Sequence, residues 1–120
     1  MSSIRLVLTT LPDAEIAGVV ARSLVEAGLA ACVNILTPCR SVYRWQGDVR
    51  EDGEVPLFIK TTAELYPALE TYLRSRHPYE LPEILALDVA AGLHEYLVWV
   101  AQSTSIRTAD SAPAASAGQA

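Results

Sequence analysis

The residues best equipped for chemistry crowd into one short stretch, His77-Pro78-Tyr79-Glu80-Leu81-Pro82-Glu83, which holds one of the chain's two histidines, a tyrosine and two carboxylates. A histidine titrates near neutrality, and the prolines flanking Tyr79-Glu80-Leu81 stiffen the loop that presents it. The plainer reading is a rigid connector in which His77 caps the preceding helix and Glu83 accepts backbone amides. A site needs partners from elsewhere, and the candidates are Lys60 and the aromatics Tyr43, Trp45 and Trp99. An ammonium and carboxylates gathered at one sheet end, against aromatic walls, would hold an anion or a polar ligand. Against this, Lys60 also reads as an ordinary surface ion pair, and Tyr43 and Trp45 as anchors of a subunit interface.

Other reactive groups are less well placed. Cys32, inside Ala30-Ala31-Cys32-Val33, reads as a small buried hydrophobe, whereas Cys39 lies beside Arg40, a basic neighbour that favours the thiolate. Asp48, Glu51, Asp52 and Glu54 lack the spacing of a calcium loop and read as a solvated hairpin tip. Neither histidine stands in frame with a Ser or Cys and an acid, and no Gly-x-Ser-x-Gly occurs, so nucleophilic catalysis finds no support. A glycine-rich phosphate loop, a Cys-x-x-Cys pair and a His-x-x-x-His helix are also missing from the sequence.

The elements that must position these side chains follow from patterning. Residues 4–10 are rich in strand formers and alternate poorly, as in a strand buried on both faces. Ile16, Val19, Val20 and Leu24 form a helical stripe, with Asp13 as cap and Gly28 where the helix stops. Residues 30–37 predict a second strand interrupted by Pro38. Val42–Trp45 and Val55–Lys60 predict one long hairpin, turning at Gln46-Gly47-Asp48 or at Glu51-Asp52-Gly53-Glu54. A second helix uses Leu65, Leu69, Tyr72 and Leu73, with a capping box of Thr61 and Glu64, and Pro67 moves its regular part toward Tyr66. Ile84–Ala90 is the next strand, and Gly92 precedes a short helix through Leu93, Tyr96, Leu97 and Val100. The order β-α-β-β-α-β plus a helix predicts an α+β, ferredoxin-like sandwich over residues 1–102. Residues 103–120, low in bulky side chains, are expected to form a flexible tail.

Composition narrows the class further. The chain has 120 residues, 51% hydrophobic and 19% charged, with a formal net charge of −5, against roughly 25% charged in an average domain. That apolar excess is more than a small monomer easily hides and points to an oligomer. No run approaches the roughly 18 apolar residues of a membrane span. The absence of an export signal predicts a cytoplasmic protein with reduced thiols. An acidic balance without a basic cluster speaks against nucleic acid.

The segments Leu29-Ala30-Ala31-Cys32-Val33-Asn34, Val42-Tyr43-Arg44-Trp45-Gln46-Gly47, Glu54-Val55, Lys60-Thr61, His77-Pro78-Tyr79-Glu80-Leu81-Pro82-Glu83-Ile84 and Tyr96-Leu97-Val98-Trp99 strongly resemble the CutA family of divalent-cation tolerance proteins, from about Leu6 to Gln102. The resemblance implies a ferredoxin-like subunit in a compact homotrimer, similar in architecture to the PII signalling proteins, whose long hairpin extends a neighbour's sheet. It implies a link to tolerance of divalent metals, copper included, and no enzyme reaction. The matching positions Tyr43, Trp45, Lys60, His77, Tyr79, Glu83 and Trp99 are then implied to converge near a cleft between subunits. His77 and Glu83 would form a weak metal site there. Copper prefers imidazole or thiolate ligands, yet Thr9 and Thr10 rather than cysteine end the first strand and Arg76 precedes His77, so a high-affinity copper site within one subunit is not expected. The competing readings are a PII-like module binding an anionic metabolite through Lys60, a structural trimeric scaffold, and a small enzyme using His77 as general base.

Overall fold

A computed structural model describes residues 3–106. Eight elements follow in order: β1 (Ile4–Leu11), α1 (Ala14–Glu26), β2 (Cys32–Ile35), β3 (Cys39–Trp45), β4 (Asp48–Thr62), α2 (Tyr66–Arg76), β5 (Ile84–Asp88) and α3 (His94–Gln102). The sheet runs β2-β4-β1-β5, antiparallel throughout, which is the ferredoxin-like arrangement predicted from the element order. β4 is its organiser. Its C-terminal half lies between β1 and β2, and its N-terminal half continues past the sheet to pair with β3 as a projecting hairpin.

Two residues make that hairpin possible. Gln46 and Gly47 both have positive φ, 50° and 86°, the handedness that a two-residue turn needs to match strand twist. The turn therefore takes the first of the two expected positions. Glu51, Asp52 and Glu54 lie within β4 rather than at a solvated tip, which corrects the reading of that acidic group.

The core is the space between one sheet face and the first two helices. Val7 and Leu11 of β1 and Val55, Leu57 and Ile59 of β4 meet Ala17, Val20, Ala21 and Leu24 of α1 and Leu69 and Leu73 of α2. The Asp13 carboxylate caps α1 by accepting the Ile16 amide at 2.8 Å, as expected. The buried stripe differs in one place: Val19 is 67% exposed, and the small side chains of Ala17 and Ala21 let the helix sit close to the sheet instead. α2 begins at Tyr66 as Pro67 demands, but the capping box does not form. Thr61 instead donates to the Leu29 carbonyl at 2.7 Å, and Thr62 accepts the Leu65 amide at 3.2 Å.

The other sheet face is uncovered over much of its width. In register across it stand Leu6 and Leu8 of β1, Phe58 and Lys60 of β4, and Leu85 and Leu87 of β5. Phe58, Leu85 and Leu87 are 37%, 54% and 49% exposed. β1 is thus closed on its core face and only half covered on the other. Ser103 to Ser105 continue from α3 to the body, where the Ser105 amide donates to the Gly28 carbonyl at 2.9 Å. The part of the expected tail at 107–120 lies outside the described residues.

Thr9 points into the core, fully buried, and its hydroxyl has no hydrogen-bond partner among the described residues. A buried hydroxyl left unpaired costs free energy that a methyl of the same shape does not. Thr9→Val is accordingly expected to raise the unfolding free energy by about 1 kcal/mol, read as a higher denaturation midpoint at fixed protein concentration; an unchanged or lower midpoint contradicts the orphaned hydroxyl.

Candidate functional site

Where β1 ends, the projecting hairpin and the loop after α2 enclose an open groove of about 940 Å3, lined among others by Thr10, Pro12, Tyr43, Trp45, Asp52, Glu54, Pro78, Tyr79 and Glu83. The hairpin supplies one wall because strand alternation places Tyr43 and Trp45 of β3 on the same face as Arg50, Asp52 and Glu54 of β4. The loop supplies the other with Pro78, Tyr79, Glu80, Leu81 and Glu83.

The side chains within this groove are tied to one another. The Tyr43 hydroxyl donates to the Asp52 carboxylate, and that bond raises the phenol above its ordinary range. Thr10 donates to Glu54 at 2.9 Å. Tyr79 faces the same carboxylate, and burial followed by Glu54 pushes its phenol up strongly. Both phenols therefore stay protonated donors, with the Asp52 and Glu54 carboxylates as their acceptors.

His77 is not on the groove wall but behind it, buried at the C-terminal end of α2. Its Nδ1 accepts the Tyr79 amide at 3.2 Å, so Nε2 carries the proton and donates to the Thr10 carbonyl at 2.8 Å. The neutral imidazole is a strut joining the end of β1 to the loop. Its ring also packs 4.8 Å from that of Tyr79. Burial lowers the His77 pKa below 6.5, against the opposing pull of the Thr10 carbonyl and the Glu54 charge.

Two of the seven expected residues lie elsewhere. Lys60 is six residues along β4 from Glu54, about 20 Å of strand, and its ammonium bonds Asn34 and stands 3.8 Å from the Cys32 sulfur. Trp99 is on α3, its ring 5.5 Å from that of Tyr96, and Tyr96 in turn stands beside Cys32, with burial and then that thiol raising its phenol. The chain thus carries two separate groups: Tyr43, Trp45, Tyr79 and Glu83 at the hairpin end, and Lys60 and Trp99 at the other. Sequence reading missed Thr10, Arg50, Asp52 and Glu54 as groove residues. Their signal was available in the spacing of Arg50, Asp52 and Glu54, alternate positions of one strand, once the acidic stretch is taken as strand rather than turn.

As a divalent-ion site, the single chain does not fit. Both imidazole nitrogens of His77 are engaged, and among the described residues no three His, Cys, Asp or Glu side chains come together as a ligand set.

Known proteins share this sequence and fold over most of the chain. The family model described as CutA1 divalent ion tolerance protein matches residues 5–103. A divalent-cation tolerance protein CutA of Thermus thermophilus is 49% identical over 98 residues, covering 82% of this chain and 95% of that protein. The human protein CutA is 45% identical over 102 residues, 85% of this chain but only 57% of the relative. Among solved structures, a divalent cation tolerance protein from Thermus thermophilus superposes with a TM-score of 0.83 at 47% identity, covering 85% of this chain and 99% of that one. CutA1 of Oryza sativa gives 0.84 at 38% identity, covering 87% and 95%.

The strut carries a pH dependence of definite sign. Because folding lowers the His77 pKa, the unfolded chain binds the proton more readily, and the stability His77 contributes is intact above pH 6.5 and lost as pH falls through that value toward the folded pKa. Denaturation midpoints of the native chain and His77→Gln, measured between about pH 8 and 5, should therefore converge as the solution is acidified; a difference that stays constant or widens contradicts the neutral strut.

Proposed function

The chain belongs to the CutA1 family of divalent ion tolerance proteins, and from that premise we propose that it acts in divalent-cation tolerance as a homotrimer taking a small ligand or ion in clefts between its subunits. The observation that carries this reading is the uncovered sheet face with Leu6, Leu8, Phe58, Leu85 and Leu87 in register. An apolar patch of that kind on a small domain calls for a protein partner, and closed symmetry among identical chains is the commonest solution. Assembly through this face would also bring the Lys60 and Trp99 end of one subunit toward the Tyr43, Trp45, Tyr79 and Glu83 groove of the next. Tyr43, Trp45, Lys60, Tyr79, Glu83 and Trp99 would then share one composite cleft that no single subunit contains, with His77 behind its wall.

Copper is a poor guest for His77 and Glu83 alone. To bind it, the imidazole would have to release either the Thr10 carbonyl or the Tyr79 amide, and with that the strut that shapes the groove. We therefore assign metal a weak role at this pair and the cleft as a whole a role in ligand response. With both ring nitrogens engaged, His77 is not placed to act as a general base.

Assembly is tested at the sheet face. Sedimentation equilibrium of the full chain should give three times the 12.9 kDa subunit mass, and Leu87→Glu should lower that mass toward one subunit while leaving the circular dichroism of the sheet in place. A native chain that sediments as one subunit overturns the trimer, as does a Leu87→Glu variant whose mass is unchanged.

A further inference from the structure

Resting on the reading of the groove as a ligand site, we propose that its preferred occupant is an organic cation, an ammonium or guanidinium group on an apolar body, rather than a bare divalent ion. Size is the first ground. On a single chain the groove offers about 940 Å3, which is space for a small molecule and far exceeds the coordination sphere of one ion. The second ground is how the oxygens are used. Asp52 and Glu54 already accept hydrogen bonds from Tyr43 and Thr10, which occupies lone pairs that a hard ion would need but leaves the negative charge in place. Glu80 and Glu83 line the same groove and make no hydrogen bond among the described residues. The third ground is the wall itself. Tyr43, Trp45 and Tyr79 all line the same space, and aromatic side chains attract large, weakly hydrated cations.

The charge count agrees in sign. Four carboxylates, Asp52, Glu54, Glu80 and Glu83, face two guanidiniums, Arg44 and Arg50, and Arg44 is turned onto the Gly47 carbonyl at 3.1 Å. Delivery of the partner subunit's Lys60 to the cleft would still leave carboxylate in excess. Carboxylates beside aromatic side chains favour a cation whose own hydration is weak, and magnesium or zinc, strongly hydrated and demanding several oxygen or nitrogen ligands, gains little there.

The probes are benzylammonium chloride, its uncharged counterpart benzyl alcohol, and zinc chloride, titrated calorimetrically into the full-length protein. Benzylammonium should bind once per subunit, benzyl alcohol at least about tenfold more weakly, and zinc should not displace benzylammonium. Glu83→Gln and Trp45→Leu should each weaken benzylammonium by about tenfold, with the sheet's circular dichroism unchanged. Equal binding of benzyl alcohol, displacement by zinc, or indifference to both substitutions overturns the proposal. Sedimentation of the same samples separates the two levels. A trimer that ignores benzylammonium refutes the ligand class and leaves the trimer standing, whereas a lone subunit that binds it refutes the trimer and supports the ligand class, because every group invoked belongs to one subunit.

Discussion

An antiparallel sheet whose two faces are both apolar, with helices that close one of them and cover the other only in part, is the constraint on which this molecule depends. α1 and α2 close the face that carries Val7, Leu57 and Ile59. Phe58, Leu85 and Leu87 remain on the other. Because β4 pairs with β1, β2 and β3 in turn, one strand ties the covered core, the uncovered face and the projecting hairpin into a single register. A slip of one residue in β4 would exchange its buried Leu57 and Ile59 for Phe58 and Lys60, so the core fixes where Asp52 and Glu54 must point.

The groove inherits its shape from that register through a small number of polar bonds. Thr10 is the meeting point: its hydroxyl orients Glu54, and its carbonyl receives the His77 imidazole. His77 in turn holds the Tyr79 amide. A histidine whose neighbours in sequence suggest the reactive group is here the fastener, and the carboxylates and phenols in front of it are what a ligand would meet. Burying a neutral imidazole with both nitrogens satisfied costs little, whereas the same ring charged would lose a bond and gain an unscreened charge.

Much of the fold was legible because its signals are local. Asp13 before an apolar stripe, Gly28 after it, Pro67 at the start of α2 and Gln46-Gly47 between strand formers each act within a few residues. The misreadings share one cause, which is that tertiary pairing overrides local preference. Thr61 sits where a capping box could form, but its hydroxyl serves the buried Leu29 carbonyl instead. The acidic stretch Glu51–Glu54 looks like a turn, yet pairing with Ser41, Val42 and Arg40 keeps it extended. For the site, the stretch from Pro78 to Glu83 and the hairpin pair Tyr43 and Trp45, far apart in sequence, do line one groove. Lys60 and Trp99 were grouped with them, although the length of β4 holds them apart within one chain.

That separation makes Lys60 the most informative residue in the molecule, and it is also the only lysine in the sequence. Zero-length carbodiimide coupling on an equal mixture of ordinary and heavy-isotope chains, followed by mass analysis of the linked peptides, tests directly whether two subunits build one cleft. The expected result is an isopeptide bond from Lys60 to Glu80 or Glu83 that joins ordinary to heavy chains. Coupling of Lys60 confined to its own chain, or no coupling to the 77–83 loop at all, would contradict a composite cleft.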